Sequence, residues 1–204
     1  MEDQCKQAGI EVHFITDNVD LSYAIEKLEE AGKEKSTDRE RFLVMRPSGM
    51  KFKDEVGEYD GPITIFALKR LFKDKNPFGV GTLIFDNSWY EGKVLADQPL
   101  QAKYAIPTKK LLPESRSKNW ADQEKLLKPG ETRREAIETL WDTIAYYSST
   151  KQRLLSDGYD WSKTKTSTSY GGRVAVGGFA QYGIYVRYDD PADSDSYLGV
   201  CPAK

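Results

Sequence analysis

Histidine is almost missing from this sequence: His13 is the only one in 204 residues. A Ser-His-Asp triad would have to use it, and no Gly-x-Ser-x-Gly turn is present to offer a nucleophile. Zinc catalysis calls for two or three His ligands, which the chain cannot supply. Cysteine is scarce too, with Cys5 and Cys201 near opposite ends. Two cysteines make no disulfide framework, and their separation is not a zinc-ligand spacing. They could pair if the ends of the chain meet, but two free thiols is the simpler expectation. No stretch reaches the roughly 20 apolar residues of a membrane-spanning helix. Residues 1–8 are charged and polar, so no secretory signal peptide is expected. The expected location is the cytoplasm, or outside the cell or on a virion by another export route.

Neither sign of charge dominates. Thirty Lys and Arg face 32 Asp and Glu, a net charge of −2, and the signs are mixed along the chain. A basic block is lacking, so a nucleic-acid partner is not expected. Gly79-Val80-Gly81 lacks the Gly-Lys-Ser/Thr ending of a phosphate loop and the third Gly of a dinucleotide fingerprint, and reads as a turn. No cofactor is expected. What remains is ordinary globular material: 39% hydrophobic and 30% charged residues, in a chain long enough for one sizeable domain or two small ones.

The first half reads as mixed α and β. Ile10, Val12 and Phe14 alternate with Glu11 and His13, which predicts a half-buried strand with His13 on the polar side. Asp17, Asn18 and Asp20 are candidate caps for a helix carrying Leu21, Ile25 and Leu28 and closed by Gly32. Residues 33–41 are charged and read as loop. A short apolar run over 41–45 is stopped by Pro47-Ser48-Gly49. Residues 63–72 fit strand or helix, with Ile65, Leu68 and Phe72 at helical spacing and Lys69-Arg70 on the wet side. Residues 82–85 predict a buried strand, and 89–93 a turn.

The clearest element is a helix predicted over 132–149. Thr132 and Glu135 form a candidate capping box. Ile137, Leu140, Trp141, Ile144 and Tyr147 or Ser148 line one apolar stripe that must pack on a partner. Glu131, Glu135 and Glu138 could be imagined as an acid/base set, but they read as the helix's polar side. Beyond residue 158 the chain turns rich in Gly, Ser, Tyr and Asp. Val174 and Val176, then Ile184 and Val186, recur at period two, which predicts short strands joined by glycine turns. The expected class is α+β, with this helix against a twisted antiparallel sheet. Asp189, Asp190, Asp193 and Asp195 cluster in one loop. Alternate carboxylates can hold calcium, but the Gly and Glu of an EF-hand loop are missing, so a solvated acidic loop and no metal are expected.

Four segments carry a resemblance. Tyr159-Asp160-Trp161-Ser162-Lys163-Thr164 resembles the "YWSST" segment that opens the final sheet of C-type-lectin-like domains of the bacterial and phage type. Gly172-Arg173-Val174-Ala175-Val176-Gly177-Gly178-Phe179 is similar to their "A-x-x-V-x-F" strand. Ser196-Tyr197-Leu198-Gly199-Val200-Cys201-Pro202 resembles their closing "YxxRPV" or "GFR" strand. Tyr104-Ala105-Ile106-Pro107-Thr108-Lys109-Lys110-Leu111-Leu112 is similar to their "LPTxxEW" segment. Together these span 104–202, about half of the chain. Within that fold group the sequence most resembles the variable proteins of diversity-generating retroelements, which carry a hypervariable stretch at the extreme C-terminus on the exposed face of the sheet.

The resemblance implies a C-type-lectin-like fold with two or more packed helices over 101–204. It leaves 1–100 as an α/β segment of unplaced type, separate or part of the same domain. It implies a variable display region over about 170–203 and a non-enzymatic binding function, the target being another protein. From 170 to 197 the residues between apolar frame positions are mostly Tyr, Asp, Ser, Ala, Gly and Arg, a set suited to adaptable binding surfaces. The Glu-Pro-Asn and Trp-Asn-Asp motifs of calcium-dependent sugar binding are absent, as is the reactive cysteine pair of sulfatase-modifying enzymes. The alternation also places Tyr185 and Arg187 opposite the valine frame. The expected binding patch is Tyr170, Tyr182, Tyr185, Arg187, Tyr188, Ser194, Ser196 and Tyr197. Two competing readings are a structural or phage-tail-like assembly subunit and a small enzyme using carboxylates and tyrosines.

Overall fold

The computed structural model describes residues 1–7, 10–16, 22, 25, 26, 29, 30, 39–73, 76, 77, 82–85, 88–90, 93–166 and 171–204. The helix expected over 21–28, its cap candidates Asp17, Asn18 and Asp20, and the Gly79-Val80-Gly81 turn lie wholly or largely outside them.

The chain opens with helix α1 (Glu2–Gln7) and strand β1 (Val12–Ile15). Strands β2 (Val44–Arg46), β3 (Gly49–Asp54) and β4 (Gly57–Gly61) follow, then helix α2 (Ile65–Leu71) and strand β5 (Lys103–Ala105). The second half holds α3 (Trp120–Glu124), α4 (Ala136–Thr150), β6 (Tyr159–Lys165), β7 (Arg173–Ala180), β8 (Gly183–Asp189) and β9 (Leu198–Gly199). The class is α+β, and the described residues form three small sheets, ordered β1-β3-β4, β2-β5 and β8-β7-β6-β9. Every pairing is antiparallel except β6 with β9, which is parallel.

Residues 63–72 resolve as helix because Thr64 caps it: its hydroxyl accepts from the Ala67 amide at 3.0 Å. The β3–β4 hairpin was not predicted. Its strands are strongly charged, and only Met50 and Phe52 mark a buried side. The usable signal was turn chemistry. Asp54 accepts from the amides of Val56 and Gly57, and Gly57 sits at φ 130°, where side chains are disfavoured. Segment 82–85 forms only one parallel bridge, Ile84 to Ile184, rather than a full strand.

Helix α4 begins later than the sequence suggested. The Thr132 amide and carbonyl are both taken by Ala203, at 2.9 and 3.0 Å, which holds Thr132 in extended backbone. The box therefore moves by three residues: Glu138 accepts from the Glu135 amide at 2.9 Å. The predicted stripe is buried, and Trp141 donates its indole N–H to the Met45 carbonyl at 3.0 Å. Yet α4 is buried on nearly every side, as expected of a central helix rather than a surface one.

One hydrophobic cluster runs from Cys5 and Val12 through Leu68, Leu140 and Trp141 to Val186, so residues of both halves share a core. The C-terminal segment is stitched inward by amide bonds from Ile106, Thr108 and Leu112 to Lys204, Pro202 and Val200. Cys5 and Cys201 are both buried and unpaired with each other. Burial pushes the Cys5 thiol up to about 11 and raises that of Cys201 as well.

Candidate functional site

Two places in the fold gather chemistry-bearing side chains. The first lies between α4 and the inner face of the four-stranded sheet. Arg46 donates to Asp142 through Nε at 2.9 Å and Nη2 at 2.7 Å, and also to Glu138. Arg134 donates to Asp142 at 3.0 Å and, through Nη2, to Asp160 at 2.8 Å. Asp160 also accepts from the Thr139 hydroxyl at 2.7 Å and the Cys201 amide at 2.8 Å. Burial opposes the Arg134 charge, but Asp160 and Asp142 outweigh it and hold its pKa above the ordinary value. Burial likewise pushes the Glu138 carboxyl up, yet Arg46, the Glu135 amide and Lys103 together hold it below the usual range. A second buried group joins Arg39 and Arg41 to Glu131.

These contacts correct two expectations. Glu131 and Glu138 are not the wet side of a helix but buried ion partners, and only Glu135 is part-exposed. Arg39 and Arg41, in the charged segment that reads as loop, are buried too. A signal was available. Glu138 and Asp142 sit four apart on an otherwise apolar helix, and such like charges repel unless a cation lies between them. Arg46 and Arg134 are those cations. Their side chains and those of Asp142 and Asp160 are at most 2% exposed, so the cluster presents no donor to solvent. It holds the structure together.

The second place is the outer face of the same sheet. In the β7–β8 register Val176 faces Val186 and Val174 faces Tyr188, while Ala175 faces Arg187 and Gly177 faces Tyr185. Side chains alternate across a strand, so Tyr185 and Arg187 lie on the face opposite the valines. Trp161, Ala175 and Leu198 form a small, fully buried apolar cluster there, covered by the partly buried Trp120, Tyr159 and Tyr197. The Arg187 guanidinium stands 5.2 Å from the Tyr159 ring centre and 5.1 Å from that of Tyr197, and it pairs with Asp189. Arg173 lies 4.2 Å over Trp120. Phe85 stacks on Tyr185 with centroids 4.4 Å apart. The close approach of β6 needs Gly177, where an added Cβ would come within 2.1 Å of the Gly158 carbonyl oxygen.

The eight expected patch residues divide. Tyr182, in the β7–β8 turn, is exposed, and so are Ser194 and Ser196 in the loop after β8. Tyr185, Arg187 and Tyr197 are half-buried, and Arg187 brings Tyr197 against the sheet. Tyr170 lies outside the described residues. Tyr188 does not join the others on the outer face. By register it follows Val186 onto the inner side, where its exposed ring meets Trp89 at 4.9 Å on the sheet's rim. The expected patch is corrected at Tyr188, because period two puts it on the side of Val186. Phe85, Tyr159, Trp120 and Arg173 were missed. Tyr159 stands two residues before Trp161, a spacing that puts both on one face.

The acidic loop is not uniform. Asp190, Asp193 and Asp195 are exposed, but Asp189 is 5% exposed and its Oδ2 has no hydrogen-bond partner among the described residues. Burial raises the Asp189 pKa against the pull of Arg187. Among the described residues no three or more His, Cys, Asp or Glu converge on a common metal position, and no helix is long and apolar enough to cross a membrane. His13 projects from β1 with 84% of its side chain exposed, near Glu2. Comparison with family models, with curated proteins and with solved structures finds no match to this chain.

Proposed function

We propose that this protein is a non-enzymatic ligand-binding display protein of C-type-lectin-like fold, akin to the variable proteins of diversity-generating retroelements. Its target is another protein. The outer face of the β6–β9 sheet, with the turns at its ends, is the display surface. The carrying observation is the division of labour within β8: Ile184 and Val186 are fully buried, while the intervening Tyr185 and Arg187 face outward, with Tyr182, Ser194 and Ser196 exposed beside them. Tyrosine supplies contact area at low entropy cost, and Tyr and Arg dominate interface energetics. Serine and glycine supply adaptable polar contacts between them.

The physical logic is that the two residue sets are separable. The valines, Trp161 and the buried ion cluster carry folding, so the exposed Tyr182, Ser194 and Ser196 are freest to change, followed by the half-buried Tyr185, Arg187 and Tyr197. Tyr188 and Asp189 are set aside from the display set, because one sits on the inner rim and the other is buried. The test is sequence variation among copies of this gene. Differences should concentrate at Tyr182, Tyr185, Arg187, Ser194, Ser196 and Tyr197, while Trp161, Val174, Val176, Ile184 and Val186 stay fixed. A neighbouring reverse transcriptase gene with an adenine-differing near-repeat of the last coding segment should accompany them. Substitutions spread evenly over both sets, with no such neighbour, sink the reading.

A further inference from the structure

A polar cleft of about 600 Å³ opens between the end of α4, the turn that follows it and the 109–116 segment. Its walls carry Lys109, Lys110, Arg116 and Arg153 against only two carboxylates, Glu40 and Asp157. Each carboxylate is already engaged. Lys109 Nζ donates to Glu40 at 2.5 Å, and Arg116 Nη2 donates to Asp157 at 2.8 Å. Both acids are more than half exposed, so these pairs are weakly held and open to competition. Arg116 is fixed further by the carbonyls of Ser196 and Asp157, at 3.0 and 3.3 Å. Among the described residues Lys110 and Arg153 make no ion pair. The Arg153 guanidinium is stacked 5.2 Å from the Tyr147 ring centre and 5.5 Å from that of Phe179, which positions it without neutralising it.

The backbone of this wall is unusual. Lys151 (φ 62°) is the left-handed cap that ends α4, and Leu155 in the cleft wall takes φ 56°, in the region that favours glycine. Such conformations persist only where surrounding contacts over-determine them, and they cluster at ligand sites. Here the anchor is plain. Leu155 is buried with Leu111, Tyr146, Leu154 and Cys201, and its carbonyl accepts from the Phe179 amide at 3.2 Å. The turn is thus braced from below while its cationic side chains line the opening. The hydrogen bond with Glu40 raises the Lys109 pKa, so that ammonium stays charged through neutral pH.

We propose that this cleft binds a compact, multiply charged anion: a phosphate or diphosphate group of a small soluble molecule. Two guanidinium and two ammonium groups around one recess match such a group in sign: among the described residues Lys110 and Arg153 are in no ion pair, and Lys109 and Arg116 hold only exposed carboxylates that an anion can displace. Because the cations line a recess and not a plane, the source is a free molecule and not a membrane surface. The cleft abuts the display loop, since Arg116 donates to the Ser196 carbonyl, but the proposal does not depend on the display function.

The probe is inorganic pyrophosphate, titrated calorimetrically against the full chain at ionic strength held constant with chloride. Binding is expected, and the Lys110→Gln/Arg153→Gln variant should bind about tenfold more weakly or worse. Glu40→Gln removes a competing carboxylate and should bind more tightly than the wild type. If the double variant melts early through lost Arg153 stacking, Lys110→Gln alone carries the test, with a several-fold loss expected. Absence of binding by the wild type overturns the proposal. So does equal affinity in the Lys110→Gln variant, which would mark the anion as held elsewhere.

Discussion

The inner and outer faces of the four-stranded sheet are built from the same strands, yet they are put to opposite uses. The inner face packs Val174, Val176, Ile184 and Val186 against α4 and seats Asp160 in a closed set of ion pairs. The outer face covers a small buried cluster, Trp161, Ala175 and Leu198, with Trp120, Tyr159 and Tyr197, and stacks Phe85 on Tyr185 beside it, these half-exposed rings being steadied by arginines. Charge occurs on both sides, but in different states. Inside, each guanidinium is buried and matched to carboxylates, so losing one partner strands another charge in low dielectric. Outside, Arg187 is about one-third exposed, so water can reach it, although its partner Asp189 is itself buried. The difference teaches that the tolerance of a position here is set by its face and not by its residue type.

The comparison breaks most sharply at Asp142, which serves Arg46 and Arg134 at once. Asp142→Ala should cost about 5 kcal/mol in urea unfolding, because it takes one carboxylate from each of two buried guanidiniums, leaving Arg46 with Glu138 alone and Arg134 with Asp160 alone. A loss under about 1 kcal/mol would mean that the cluster is solvated. Next is Trp141→Ala on α4, expected to cost about 3–5 kcal/mol through the cavity left in the core. Acid sharpens the contrast further. The folded pKa of Glu138 lies below its ordinary value of about 4.3. Its contribution is fully present above that value and is lost as pH falls through the folded pKa. Stability should therefore drop on the acid side, and Glu138→Gln should drop less steeply over the same range. Parallel curves for the two proteins would remove Glu138 from the account. The smallest effect belongs to the outer face. Tyr182→Ser/Tyr185→Ser should cost about 1 kcal/mol, the scale of the lost Phe85 stacking.

Much of this contrast was legible in the sequence. The period-two valines located β7 and β8, and the 3.6-period stripe located α4, because burial of one side leaves a readable alternation. The ion cluster was harder to read. Arg46 lies 96 residues from Asp142, so no local spacing joins them, and the acids on α4 passed for a polar side. Position along the chain likewise hid the stacking of Phe85 on Tyr185, which depends on a single bridge between 84 and 184. The β3–β4 hairpin escaped because its exposed sides are charged, leaving only the Asp54 turn to announce it. Tyr188 was grouped by kind, where one step of register moved it to the other face.

The most direct test of the two-face account is a pair of libraries in the full chain. One randomises Tyr182, Tyr185, Arg187, Ser194, Ser196 and Tyr197; the other randomises Val174, Val176, Ile184 and Val186. Each is scored for the fraction of members that stay soluble and protease-resistant. Most of the outer library should survive and little of the inner one. Equal survival, or collapse of the outer library, would contradict the two-face account, since the tyrosines would then be core and not display.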